Sequence, residues 1–172
     1  MHSLVRSLDC VNALVGRCVR WLTVLLVLVQ FGVVVLRYIF GTSYMAAQES
    51  IIYIHAIIFM AGAGYTLLKD GHVRVDIFYS DASRRMRALV DFLGGLLLLI
   101  PSCLVLLYYT WGFVVQSWRI LEGPISVGGI PAVFLLKSLI PIFAGLLLLQ
   151  GIAMVLRNLL VLFDLEGEGA PQ

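Results

Sequence analysis

A basic segment at residues 69–87, KDGHVRVDIFYSDASRRMR, separates two long apolar runs, 46–68 and 88–111, each carrying a single acid, Glu49 and Asp91 respectively. A helix that crosses a bilayer needs about 20 apolar residues at a rise of 1.5 Å each, so both runs are long enough to span. Two further stretches, 21–40 and 132–156, qualify on the same ground. Four spans in 172 residues leave nothing of soluble-domain size. The fold class that follows is an all-α membrane protein, a single integral membrane domain with four transmembrane helices. The composition agrees, since only 13% of residues are charged, against roughly 25% in soluble domains.

The connection between the first two spans is about five residues and contains Gly41-Thr42-Ser43, which admits only an antiparallel helical hairpin. The first span reads as an uncleaved helix. A signal-peptide core is roughly 7 to 15 residues and ends at small residues, whereas this run is longer and ends in Arg37-Tyr38-Ile39-Phe40.

Orientation follows from the basic residues. Arg6, Arg17 and Arg20 precede the first span, Lys69, Arg74, Arg84, Arg85 and Arg87 lie in the central segment, and Arg157 follows the fourth span. Only Arg37, Arg119 and Lys137 fall on the other side. The positive-inside bias therefore places both termini and loop 69–87 in the cytoplasm. These cations are expected to meet lipid head groups rather than nucleic acid, because no basic patch stands on a soluble module. Cys10, Cys18 and Cys103 form no CxxC pair and read as filler or plain thiols. The acidic tail 164–172 reads as a disordered, solvated end.

Polar groups inside the spans are costly, which makes each one informative. Arg37 and Lys137 lie near the outer ends of their helices and are expected to snorkel to that interface. Glu49 sits one turn into the second span at the level of Arg37, where it can pair with Arg37 across the hairpin or with a neighbouring subunit. His55 lies deeper. A haem between helices needs two axial ligands and the spans hold no second histidine, leaving Met60 and Met154 as the other candidates, so His55 is expected to be buried and satisfied. Gln30, Gln150 and Ser138 read as interhelical hydrogen-bonders worth about 0.6 kcal/mol each. Ala61-Gly62-Ala63-Gly64 allows close helix approach, while Pro101 and Pro141 predict kinks in the third and fourth spans.

Chemistry has no footing here. There is no nucleophile elbow, no HExxH, no phosphate-binding glycine loop and no carboxylate pair within a span. No enzyme activity and no cofactor are implied. A complete secondary transporter is equally poorly matched, since such folds use two repeats with broken helices around a midplane site.

The order of several short motifs carries a resemblance. Arg37-Tyr38-Ile39-Phe40 closes the first span, and Gln48-Glu49 opens the second, which continues through Gly62-Ala63-Gly64-Tyr65 into Lys69-Asp70-Gly71-His72-Val73-Arg74-Val75-Asp76. Gly129-Ile130-Pro131 precedes the fourth span, with Ile140-Pro141 and Gln150 inside it. Together these resemble the DctQ-like family, the small membrane subunits of tripartite ATP-independent periplasmic (TRAP) transporters. Ala47 and Gln48 stand where that family often has Trp and a first Glu. The resemblance implies a bacterial inner-membrane protein that scaffolds a large permease subunit for ion-coupled uptake, with sodium the expected ion, of an organic acid or related solute. It also implies a periplasmic substrate-binding protein that delivers the solute and can touch the outer loop, residues 112–131.

The residues expected to make structural or partner contacts are Arg37, Glu49, Gly71, His72, Arg74, Asp76, Pro131 and Pro141. Gly71 is expected to cap the second helix at positive φ. His72, Arg74 and Asp76 then alternate with Val73, Val75 and Ile77 as in an extended segment, and Asp81 or Ser83 offers an N-cap to a helix starting at Arg84. Two other readings fit four helices: a haem- or quinone-handling membrane anchor of an oxidoreductase, motivated by His55, and a small self-assembling multidrug exporter.

Overall fold

A computed structural model describes residues 2–72, 82–124 and 126–163. Its elements are α1 (His2–Tyr38), α2 (Met45–Leu68), α3 (Arg84–Gly94), a single π-helical turn (Gly95–Leu99), α4 (Ile100–Arg119) and α5 (Val133–Leu162). α3, the π turn and α4 form one continuous rod, so among the described residues four helices are long and apolar enough to cross a membrane, as the four apolar runs require.

Two rods are longer than the apolar runs alone suggest. The segment before residue 21, expected as a tail, continues α1 back to His2. Nothing in it breaks a helix, and its buried positions, Val5, Asn12, Gly16 and Val19, recur at helical spacing. The rod is therefore about 55 Å long at 1.5 Å per residue, and its first half is amphipathic rather than hydrophobic all round. The third rod also outruns residues 88–111. Ser83 caps its start, the hydroxyl accepting the Met86 N–H at 3.3 Å. This selects Ser83 of the two expected caps, Asp81 lying outside the described residues.

α5 is the central element. It touches every other helix, whereas α1 meets only α2 and α5, and α4 meets neither α1 nor α2. Ala144 and Ala153 of α5 are fully buried. Lipid is as apolar as leucine, so burial alone does not drive such helices together; close approach at small residues and hydrogen bonds do. Glycine marks each approach. A Cβ on Gly16 would fall inside the Tyr65 ring, one on Gly95 would lie 2.7 Å from Val155 Cγ2, and one on Gly151 would lie 2.8 Å from Leu99 Cδ2.

The prolines act through their missing N–H. Where Pro101 withholds its donor, the chain has just widened by one residue, the Ile100 N–H reaching back five positions to the Gly95 carbonyl. The widened turn sits beside α5 where Gly95 is buried. α5 runs unbroken through Pro141, which is half-buried.

The end of α2 departs from expectation at one residue. Asp70, not Gly71, takes the positive φ of 58°. The Gly71 N–H donates to the Thr66 carbonyl at 2.9 Å and the Asp70 N–H to the Leu67 carbonyl at 3.1 Å, the paired bonds of a Schellman cap. Gly71 is thus the residue after the left-handed position, and its Cβ would lie 3.2 Å from Thr66 Cγ2.

Candidate functional site: three polar clasps

Three groups of polar side chains tie the rods together, two at the end holding the α1–α2 turn and one at the opposite end. The first joins two sequence motifs 81 residues apart. Glu49, in the second turn of α2, accepts the backbone N–H of Ile130 on Oε2 at 2.6 Å. Gly128, at φ +79°, turns the loop so that this N–H faces the carboxylate. Gly129 is needed beside it, because a Cβ there would lie against Oε1 and 2.5 Å from Oε2. Pro131 follows on the exposed side and Ala132 is the N-cap residue of α5. Nearby, Gln48 Nε2 donates to Ser43 Oγ at 2.6 Å and closes the hairpin turn.

The expected pair of Glu49 with Arg37 does not form. Arg37 is exposed on α1 and has no ion-pair partner among the described residues, while the Glu49 carboxylate turns to the loop before α5. A preorganised backbone donor competes well here, because it brings no side-chain entropy cost and leaves no long cation to be held in place.

The second clasp is at the end of α4. Leu121 adopts φ +45°, with its N–H on the Trp118 carbonyl at 3.2 Å and the Glu122 N–H on the Ser117 carbonyl at 3.1 Å, again a Schellman cap. This places the Glu122 carboxylate to accept both Ser117 Oγ at 2.6 Å and Lys137 Nζ at 2.5 Å. The Glu122 carbonyl in turn receives the Val133 N–H, satisfying one of the open donors of α5. Lys137 Nζ also lies 4.0 Å from the centroid of the Phe113 ring. At the next residue of each helix, Trp118 Nε1 donates to Ser138 Oγ at 2.8 Å, as expected of an interhelical Ser138. Lys137 thus turns to a carboxylate instead of only snorkelling. Glu122 was missed by sequence reasoning; the available signal was an acid and a lysine flanking one loop between antiparallel helices.

The Lys137 ammonium and Ser117 hydroxyl hold the Glu122 carboxyl below its ordinary range. A depressed carboxylate pKa contributes stability that is full above the unfolded value of about 4.3 and is lost as pH falls through the folded value. Thermal stability of the wild-type chain is therefore expected to fall below about pH 4.3 more steeply than that of Glu122→Gln, measured by unfolding scans across that range. Parallel curves would remove Glu122 from the account.

The third clasp lies at the other end. Asn12 of α1, fully buried, donates through Nδ2 to Gln150 Oε1 at 3.0 Å and to the Leu146 carbonyl at 3.4 Å. Gln150, 1% exposed, donates to Asp9 Oδ1 at 3.0 Å, and Asp9 Oδ2 accepts Arg157 at 2.6 Å. Gly64 of α2 completes the junction, its Cα facing Asn12 Oδ1. Gln150 is the interhelical bonder expected of it. Asp9 and Asn12 escaped notice because their segment read as a tail.

Other expected positions are not drawn together. His72 is exposed just past α2, and Arg74, Asp76 and the tail 164–172 lie outside the described residues. His55 is exposed on α2, not buried, stacked at 6.4 Å on Phe59. Gln30 is exposed and makes no hydrogen bond among the described residues. Among the described residues no three metal-binding side chains cluster.

Fold and polar groups together define a multi-pass membrane component in which Asp9, Asn12, Glu49, Glu122, Lys137, Gln150 and Arg157 tie helices and loops together. The sequence model of one family, described as tripartite ATP-independent periplasmic transporters, DctQ component, matches residues 20–161. The chain belongs to this family of small TRAP transporter subunits; it is a transporter component and not an enzyme. Such subunits work with a large permease and a periplasmic binding protein. A comparison with curated proteins gave no match.

Proposed function

We propose that the chain is the static membrane scaffold of its transporter, a rigid bundle that anchors the large permease subunit in the bacterial inner membrane while that subunit moves solute. The observation that carries this reading is the use of polar groups. The buried polar side chains Asn12, Ser117 and Gln150 each bond to a group that fixes a helix or a loop. The acids Asp9, Glu49 and Glu122 are engaged by Arg157, the Ile130 N–H and Lys137. A substrate or ion path needs groups free to exchange partners, whereas a scaffold needs them committed.

Both termini and loop 69–87 face the cytoplasm in this reading, with the Glu49 and Glu122 clasps on the periplasmic side, where the binding protein arrives. Uptake is driven by an ion gradient, sodium, and the solute is an organic acid, both handled by the other two subunits. Affinity purification of the tagged chain from its native host tests the core of this. A stoichiometric many-helix membrane protein is expected to co-purify. Recovery of the chain alone, or with a haem- or iron-containing protein, contradicts the proposal.

A further inference from the structure

The most apolar half of α1 is the least covered. No residue from 20 to 38 is buried, although the same helix buries Val5, Asn12, Gly16 and Val19 before it. In that half, α1 and α2 form a groove of about 580 Å³, lined by Val27, Gln30, Phe31 and Val34 at helical spacing on one side and by Ile51 and His55 on the other. Val27 and Phe31 are 62% and 67% exposed.

Two polar groups make this groove unlike the rest of the apolar surface. His55 lies ten residues into α2, about 15 Å along the helix at 1.5 Å per residue, and Gln30 lies between Arg20 and Arg37 on α1. Both are within the hydrocarbon zone, both are exposed, and neither makes a hydrogen bond among the described residues. Thr and Ser side chains in a span can return their hydroxyls to their own helix, as half-buried Thr110 does to the Leu106 carbonyl. An exposed glutamine amide and an exposed imidazole have no such refuge, and an acyl chain offers no hydrogen bond.

We infer that this groove seats a transmembrane helix of the large permease subunit, which presents hydrogen-bonding side chains to Gln30 and His55 near mid-bilayer. The inference rests on the scaffold reading and assigns its docking face. A groove two helical turns long, lined mostly by apolar side chains with one amide and one imidazole among them, matches the way membrane helices associate. α1 is an edge helix, meeting only α2 and α5 among the described elements, so no other described helix of the chain closes this face.

The test uses the intact transporter, co-expressed with its large subunit, and a photo-reactive phenylalanine analogue at Val27 or Val34, or at Leu104 on the exposed face of α4. Adducts to the large subunit are expected from positions 27 and 34 and not from 104. The double variant Gln30→Leu, His55→Leu is expected to recover less large subunit, by roughly threefold per bond lost, while the isolated chain melts as the wild type does. Adducts from 104 alone, adducts of 27 and 34 with lipid or a second copy only, or full recovery by the double variant overturn the docking face and leave the scaffold reading standing. Absence of the large subunit from the wild-type preparation overturns both.

Discussion

Replacing Gly64 with alanine is expected to destabilise the chain by about 2 to 4 kcal/mol, a large fraction of the stability of a bundle this size. The added methyl would overlap Asn12 Oδ1 and lie 3.1 Å from the Leu146 backbone oxygen. The backbone cannot yield without moving α5, so Asn12 must swing away and break its bonds to Gln150 and Leu146. Gln150, nearly fully buried, then loses an acceptor interaction in a medium with no water to replace it. Gly94→Ala and Gly145→Ala provide the contrast, since a Cβ at either meets nothing within 4 Å. Each should be neutral or gain up to about 1 kcal/mol of helix propensity. Unfolding scans of purified protein in detergent check all three. Equal behaviour of Gly64 and Gly94 would mean that the junction of α1, α2 and α5 is not close-packed.

The second large effect is expected at Glu49. Glu49→Ala removes a charged acceptor from the Ile130 N–H and should cost about 1.5 to 3 kcal/mol, the usual range for a hydrogen bond to a charged group. Glu49→Gln keeps an acceptor but not the charge and should cost about half as much. Arg37→Ala should be near neutral, because Arg37 is exposed and unpaired among the described residues. A double-mutant cycle sharpens the assignment. Gly129→Ala clashes with the carboxylate when Glu49 is present and has less to clash with in Glu49→Ala, so the double variant should lose less than the sum of the singles. A strong coupling of Glu49 with Arg37 in its place would restore the cross-hairpin ion pair.

Much of this was legible from residues alone, and what was not has a physical pattern. Hydropathy located the four rods because long apolar runs have one stable arrangement in lipid, and Gly41-Thr42-Ser43 set the hairpin. Gly64 and Gln150 were readable because a small residue or an amide in a span has few uses other than helix contact. The first half of α1 was not readable as a packed helix, since an amphipathic segment with Asp9, Asn12 and three arginines resembles a solvated tail until its buried face is seen. Partners across long separations were also invisible. Asp9 meets Arg157 over 148 residues and Glu49 meets Ile130 over 81, and a carboxylate's choice between a nearby arginine and a distant backbone N–H depends on where helices cross. The left-handed Asp70 in place of Gly71 is a smaller case of the same kind. Two adjacent residues could fill the cap, and the register of the last turn decided between them.

The clasps and the open α1 face describe one object, a bundle held stiff internally and left apolar externally. That stiffness is the central claim, and covalent locking tests it most directly. In a background with exposed Cys10 and Cys18 replaced by serine, cysteines at Glu49 and Ile130 are joined by a short bifunctional reagent, and uptake by the reconstituted three-component transporter is measured before and after joining. The account predicts that joining leaves uptake no lower than before, because the reagent restores the tie between α2 and the loop before α5 that the Glu49 carboxylate makes in the wild-type chain. Loss of uptake on joining, reversed when a cleavable reagent is cut, would show that this subunit itself moves during transport and would contradict the scaffold role.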